Sequence, residues 1–212
     1  MNKKIQNNYL NYLSDSYNNA CEDFFDNDDF FISKIQSSIG LFTAESLNIG
    51  MPKPKKLEVY ALLSGISFEN KIQKRLLNIQ NEINALIPEN LKYFVKPENF
   101  GLEHCVFKWP NEKWDSNKEK KVKNLLNIYP FESFNLEIKG IQIHSDGCVI
   151  AKGYDKSLQM KKIRSFFKNN LDFFPQKQSN WSHIPLGRIL EPIGISKYSL
   201  LKKYIINNQN SE

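Results

Sequence analysis

The chain of 212 residues is poor in the features that usually announce a function. It has three cysteines, Cys21, Cys105 and Cys148, odd in number, widely spaced and without a C-x-x-C pair. A disulfide framework and a cysteine-rich zinc site are both poor fits to those spacings, and each cysteine reads as a small buried hydrophobe. No apolar run approaches the ~20 residues that cross a bilayer. The first eight residues, Met1 to Asn8, turn polar where a signal peptide needs its apolar stretch, so the sequence predicts a cytoplasmic protein with no membrane attachment. There are only three histidines and no clustered set of metal ligands is evident, so no cofactor is expected.

What is present is basic charge, unevenly placed. The net charge of +6 conceals an acidic cluster, Glu22, Asp23, Asp26, Asp28 and Asp29, in the first fifty residues. Over 51–212 the excess rises to roughly +10, which biases that part toward anionic ligands through its long-range field. The first fifty residues are rich in Asn, Asp, Ser and aromatics. Ile5, Tyr9, Leu10, Tyr12, Leu13 and Tyr17 fall near helical spacing and predict a short amphipathic helix. Phe24, Phe25, Phe30 and Phe31 around the acidic cluster suggest a segment that docks on something, including a protein partner. Met51-Pro52-Lys53-Pro54-Lys55-Lys56 then breaks the chain as a linker. We therefore divide it into an N-terminal extension and linker over 1–56, a main domain over 57–207 and a tail over 208–212.

The main domain alternates strands and helices. Strands are expected over 57–66, 91–95, 102–109 and 181–190, and a hairpin joins 134–143 to 148–153 around Ser145-Asp146-Gly147, whose Asp-Gly pair is a strong turn signal. Apolar residues at helical spacing predict helices over 68–87, 117–129, 157–167 and 196–206, with Ser196 as an N-cap. Both halves run through strand, helix, a strand with a histidine and a further helix, which suggests two similar lobes.

The histidines carry the functional reading. His144 precedes the Asp-Gly turn, where a polar side chain needs no special role. His104 and His183 lie at matching places in the two halves. Leu102-Glu103-His104-Cys105-Val106-Phe107 and Ser182-His183-Ile184-Pro185-Leu186-Gly187-Arg188 resemble the paired His-x-Thr/Ser motifs of the two-histidine (2H) phosphoesterase superfamily. That group includes the 2′-5′ RNA ligase-like and 2′,3′-cyclic phosphodiesterase-like proteins. The second segment is most similar to the family's His-apolar-Thr-Leu-Gly-Arg strand. The resemblance covers roughly 57–206. It implies a two-lobed α+β fold with two pseudo-symmetric antiparallel sheets flanking a central cleft and helices outside. It also implies His104 and His183 as general acid and base of a metal-independent phosphodiesterase acting on 2′,3′-cyclic phosphates or 2′-5′-linked nucleotide or RNA ends. The third motif position, a hydroxyl residue in the family, is Val106 in one segment and Pro185 in the other. Neither offers a donor to a phosphate oxygen, which opens the alternative of a catalytically weakened nucleotide- or RNA-binding module.

Strand alternation supplies the remaining candidates. Lys108 shares the face of His104 and Val106 and reaches a phosphate from the edge. Trp181 shares the face of His183, and it and Tyr198 are candidates to stack on a base, with Phe107 and Trp109 also near the motifs. Arg188, five residues beyond His183, falls on the opposite face unless a bulge intervenes. The lysines of the 117–129 helix read as a solvated face.

Overall fold

The computed structural model describes residues 3–26, 32–64 and 68–208. The fold is mixed α+β, with two antiparallel sheets and helices. In chain order the elements are α1 (Lys3–Asp26), α2 (Ile32–Ile39), α3 (Ala44–Asn48), β1 (Tyr60–Ser64), α4 (Asn70–Leu86), β2 (Lys92–Phe94), β3 (Leu102–Lys108), α5 (Ser116–Ile128), β4 (Leu136–Ile143), β5 (Cys148–Asp155), α6 (Gln159–Asn170), β6 (Ile184–Ile189) and α7 (Ile195–Asn207). A 3-10 turn, Pro97–Asn99, precedes β3. No helix among the described residues is long and apolar enough to cross a membrane.

The two sheets are unequal. One has two strands, β1-β3; the other has four, in the order β2-β6-β5-β4. Two matching lobes built from consecutive halves are therefore not what forms. β2, from the first half, pairs with β6 from the second, Lys92 opposite Ile189 and Phe94 opposite Gly187. A three-residue strand has too little ladder of its own, and the edge of β6 gives its backbone groups partners.

Side-chain alternation gives the larger sheet two apolar faces. On one, Val149, Ala151, Ile184 and Leu186 meet Leu76, Ile79 and Ile83 of α4 and Leu201 and Ile205 of α7. On the other, Ile150 meets Tyr9, Leu13 and Tyr17 of α1. The helical spacing of those three residues is in the sequence, but the helix runs for 24 residues and forms a layer of the fold. The side chains of the aromatic-acidic stretch Glu22 to Phe31, which begins within the last turns of this helix, lie outside those described. The smaller sheet buries Cys105 and Phe107 against Val122 of α5 and Ile163 and Phe167 of α6.

The turn between β4 and β5 closes as the sequence predicts. The Gly147 N–H donates to the His144 carbonyl at 2.8 Å, and the Asp146 carboxylate accepts from the Cys148 N–H at 3.0 Å. Gly147 has φ +83°, and a Cβ there would collide with the Ile189 carbonyl oxygen, so only glycine fits. At α7, Gly194 rather than Ser196 precedes the first turn.

Candidate functional site

A cavity of about 460 Å³ lies where the β4–β5 hairpin, the segment before β6 and the start of β3 converge. His144 reaches it from the end of β4, His183 from the residue before β6, and Arg188 from β6 itself. Trp181 joins them. Its ring centroid is 4.8 Å from that of His144, and 5.7 Å from that of His183, which it meets edge to face. The indole is held from behind: its N–H donates to Ser16 Oγ at 2.8 Å, and its ring stacks on Tyr17 of α1 at 5.4 Å. Trp109 and Lys177 stand at another wall. The Trp109 indole N–H donates to the Lys177 carbonyl at 3.0 Å, and the Lys177 ammonium lies 5.6 Å from the ring centroid.

Arg188 reaches this cavity because the β5–β6 ladder skips a residue. Val149 pairs with Gly187 but Ile150 pairs with Pro185, leaving Leu186 as the extra residue. That irregularity breaks the alternation that puts His183 and Arg188 on opposite faces. One guanidinium nitrogen donates to Asp146 at 2.9 Å and to Ser38 of α2 at 2.6 Å. The Asp146 carboxyl is held below its ordinary range: the Arg188 charge and hydrogen bonds outweigh its burial.

A second skip lies at the other histidine. Leu62 pairs with Cys105 and Leu63 with Glu103, so His104 is an extra residue on β3, as Phe107 is between the Tyr60–Lys108 and Ala61–Val106 pairs. Glu103 lines the His183 cavity and His104 does not. His104 is 6% exposed, its Nε2 is 2.7 Å from Ser64 Oγ, and its ring meets the edge or face of Phe134 at 6.2 Å. The expected His104–His183 pair is thus replaced, in this cavity, by His144 and His183.

Of the residues named from the sequence, His183, Trp181, Arg188 and Trp109 line the cavity, and Lys108, Val106, Pro185 and Tyr198 sit elsewhere for identifiable reasons. Lys108 is buried, and its ammonium is held 3.1 Å from both the carbonyl and the carboxylate of Glu58. Val106 is buried in the strand, its backbone paired with the Gln178 side chain. Pro185 is exposed on β6, opposite Ile150. Tyr198 is a core residue of α7, packed among the apolar side chains of the larger sheet's first face. Nothing in the sequence around His144 distinguishes it, because its neighbours form an ordinary turn. The β4-β5-β6 strand order that brings it to His183 has no local signal.

Burial sets the protonation of the site. Burial lowers the pKa of His183 to about 4, with His144, Arg164 and Arg188 adding to the effect. Burial lowers His144 to about 4 as well, against the attraction of Asp146. His104 falls to about 4 through burial and the Arg164 charge, with Asp155 opposing. Glu103 is shifted upward by burial, against Arg164. At neutral pH the rings are neutral. Each carries one N–H and one acceptor nitrogen, a set suited to hydrogen bonding. An acid catalyst needs an imidazolium near working pH, and these environments disfavour it.

Two side chains brace the walls. Arg164 of α6 donates from Nε to the His104 carbonyl at 2.6 Å and from Nη2 to the Trp181 carbonyl at 2.7 Å, tying β3 to the segment before β6. The Gln178 amide accepts from the Val106 N–H at 3.0 Å and donates to the Val106 carbonyl at 2.8 Å, standing in for a neighbouring strand. Gln178→Ala removes both partners from a buried backbone unit. It is expected to cost about 1–3 kcal/mol in urea unfolding. A variant as stable as the parent would mean that water replaces the amide there.

No family model matches the chain, and no curated protein matches it.

Proposed function

We propose that this protein is a nucleotide- or RNA-end-binding module, in which Trp181 stacks on a base and His183, Arg188 and Lys177 hold the phosphodiester. The observation that carries the reading is Trp181, anchored from behind and set against both His144 and His183, in a cavity with a guanidinium beside them. A volume of about 460 Å³ falls within the ordinary range for small-molecule sites. The basic excess of 51–212 supports an anionic ligand.

The second reading is a metal-independent phosphodiesterase of the two-histidine kind on a 2H phosphoesterase-like fold, with His104 and His183 as acid and base. The register skip at His104 favours it, because such irregularities gather at active sites. It requires the His104 ring to leave Ser64 and enter the cavity.

Titration with uridine 2′,3′-cyclic monophosphate, followed by tryptophan fluorescence and by product analysis, tests both. Saturable binding without product is expected, weakened about tenfold or more in Trp181→Ala, in keeping with ~1–3 kcal/mol for a stacked base. Turnover abolished by both His104→Ala and His183→Ala would replace the binding reading with the catalytic one. Neither binding nor turnover would remove both.

A further inference from the structure

A larger cavity, about 860 Å³, lies beside the first, between α1 and α6. Its α6 wall carries Lys161, Arg164 and Lys168, spaced three and four residues apart and hence along one helix face. Its α1 wall carries Tyr9 and Tyr12, whose rings stack at 6.5 Å with 25° between their planes. Tyr12 is 50% exposed, and the Lys161 ammonium lies 5.4 Å from the Tyr9 ring centroid. No Asp or Glu is among the lining residues. Among the described residues, no carboxylate is within ion-pair distance of Lys161 or Lys168, and both lysines are exposed. Arg164 donates to backbone carbonyls, which leave its charge uncancelled.

The two cavities are continuous in their walls. Gln178 and Asn180 line both, and Arg164 grips the Trp181 carbonyl from the groove side. The cation row spans ~10 Å of helix, at 1.5 Å per residue. Regularly placed cations, an exposed aromatic platform and no opposing carboxylate are what a polyanion with flat bases requires. A small phosphate ester would occupy only one end.

We propose that the α1–α6 groove is the track of a single-stranded polynucleotide whose terminal nucleotide enters the Trp181 cavity. In this form the inference rests on the binding reading above. It assigns the ligand's length and the residues that hold its chain: Lys161 and Lys168 on phosphates, and Tyr12 under a base.

The test uses the full chain with two probes, a fluorescein-labelled uridylate 12-mer followed by anisotropy and uridine 2′,3′-cyclic monophosphate followed by tryptophan fluorescence. The 12-mer is expected to bind at least about tenfold more tightly than the mononucleotide. The double variant Lys161→Glu/Lys168→Glu is expected to weaken the 12-mer about tenfold or more and reduce its salt slope by roughly 1.4, at ~0.7 for each phosphate no longer neutralised. Its mononucleotide affinity should stay within about twofold, since neither lysine lines that cavity. Tyr12→Ala, at an exposed position, should weaken the 12-mer alone. Equal affinity of the two probes, or a 12-mer indifferent to the double variant, overturns the groove and leaves the cavity reading standing. A 12-mer held by the lysines, with no mononucleotide binding and no effect of Trp181→Ala, supports the groove and removes the cavity reading. Displacement of the 12-mer by polyglutamate at equal charge overturns the nucleic-acid assignment.

Discussion

Acidification from pH 7 to pH 4 is expected to remove most of the protein's folding stability, and histidines account for the loss. His104, His144 and His183 each have a folded pKa near 4, against about 6.5 in the unfolded chain. Above pH 6.5 the rings are neutral in both states and their contribution is fully present. Between pH 6.5 and pH 4 the unfolded chain takes up protons that the folded one refuses, so stability falls as pH falls; below pH 4 these groups cause no further loss. For one histidine the difference is about 3 kcal/mol, at ~1.4 kcal/mol for each tenfold change in proton affinity. His144 and His183 lie in each other's field and titrate as a pair. Against a typical total of about 5–15 kcal/mol, two or three such terms suffice to unfold the chain. Glu103, with its pKa raised, opposes the trend on the acid side, because its protonated form is favoured in the fold. Urea unfolding at pH 7, 6, 5 and 4 gives the slope directly, and His104→Gln should reduce it by about one proton. A midpoint flat from pH 7 to pH 4.5 would show that water reaches the rings.

The same burial bears on the chemistry. A hydrolase working near neutrality needs one imidazole protonated and one free. Here His183 and His144 share a cavity, burial holds both neutral, and the guanidinium beside them is already paired with Asp146. Such a site can present hydrogen-bond groups and an aromatic platform to a ligand. To protonate a leaving oxygen it would first have to raise a histidine pKa, a shift that the single negative charge of a bound phosphodiester favours. The product analysis above therefore separates the two readings more sharply than geometry alone.

Much of the fold was legible because it is periodic. The apolar face of α4, including Leu76, Ile79 and Ile83, and the Asp146-Gly147 turn are local patterns, and they fold locally. The site was legible only in part, because it depends on register. Counting residues along a strand puts His104 beside Val106 and Lys108, and Arg188 opposite His183. Extra residues at His104 and Phe107 on one strand, and at Leu186 on another, undo both counts. Where a ladder skips is decided by the partner strand, whose identity was hidden too: β2 crossing to β6 is a tertiary event with no periodic trace. The same holds for α1. The spacing of Tyr9, Leu13 and Tyr17 marks an apolar stripe, but not the sheet face that the stripe covers.

Replacement of Tyr17 is expected to be the most damaging single change at the site, through two separable effects. Its hydroxyl is buried where β5 and the segment before β6 stop pairing directly. It donates to the Gly153 carbonyl at 3.1 Å and lies 3.3 Å from the N–H groups of Gly153 and Ser182, replacing ladder bonds with one oxygen. Its ring stacks on Trp181 and packs edge-on against Tyr154. The backbones are already close: a Cβ on Gly153 would collide with the Ser182 carbonyl oxygen. Little room is left for water to take the hydroxyl's place. Tyr17→Phe strands buried backbone groups and should cost about 3 kcal/mol, with each unsatisfied group worth ~1–3 kcal/mol. Because the ring remains behind Trp181, the variant's mononucleotide affinity at 10 °C should stay near that of the parent. Tyr17→Ala adds the loss of a fully buried ring, about 3–5 kcal/mol, and removes the support of the indole. Its surviving folded fraction should bind the mononucleotide at least about tenfold more weakly, comparable to losing the stacked base itself. Thermal melts and fluorescence titrations on both variants decide the matter. A Tyr17→Phe protein as stable as the parent would mean that the hydroxyl is not what joins the two strands; a Tyr17→Ala protein that binds normally would mean that Trp181 holds its position without α1.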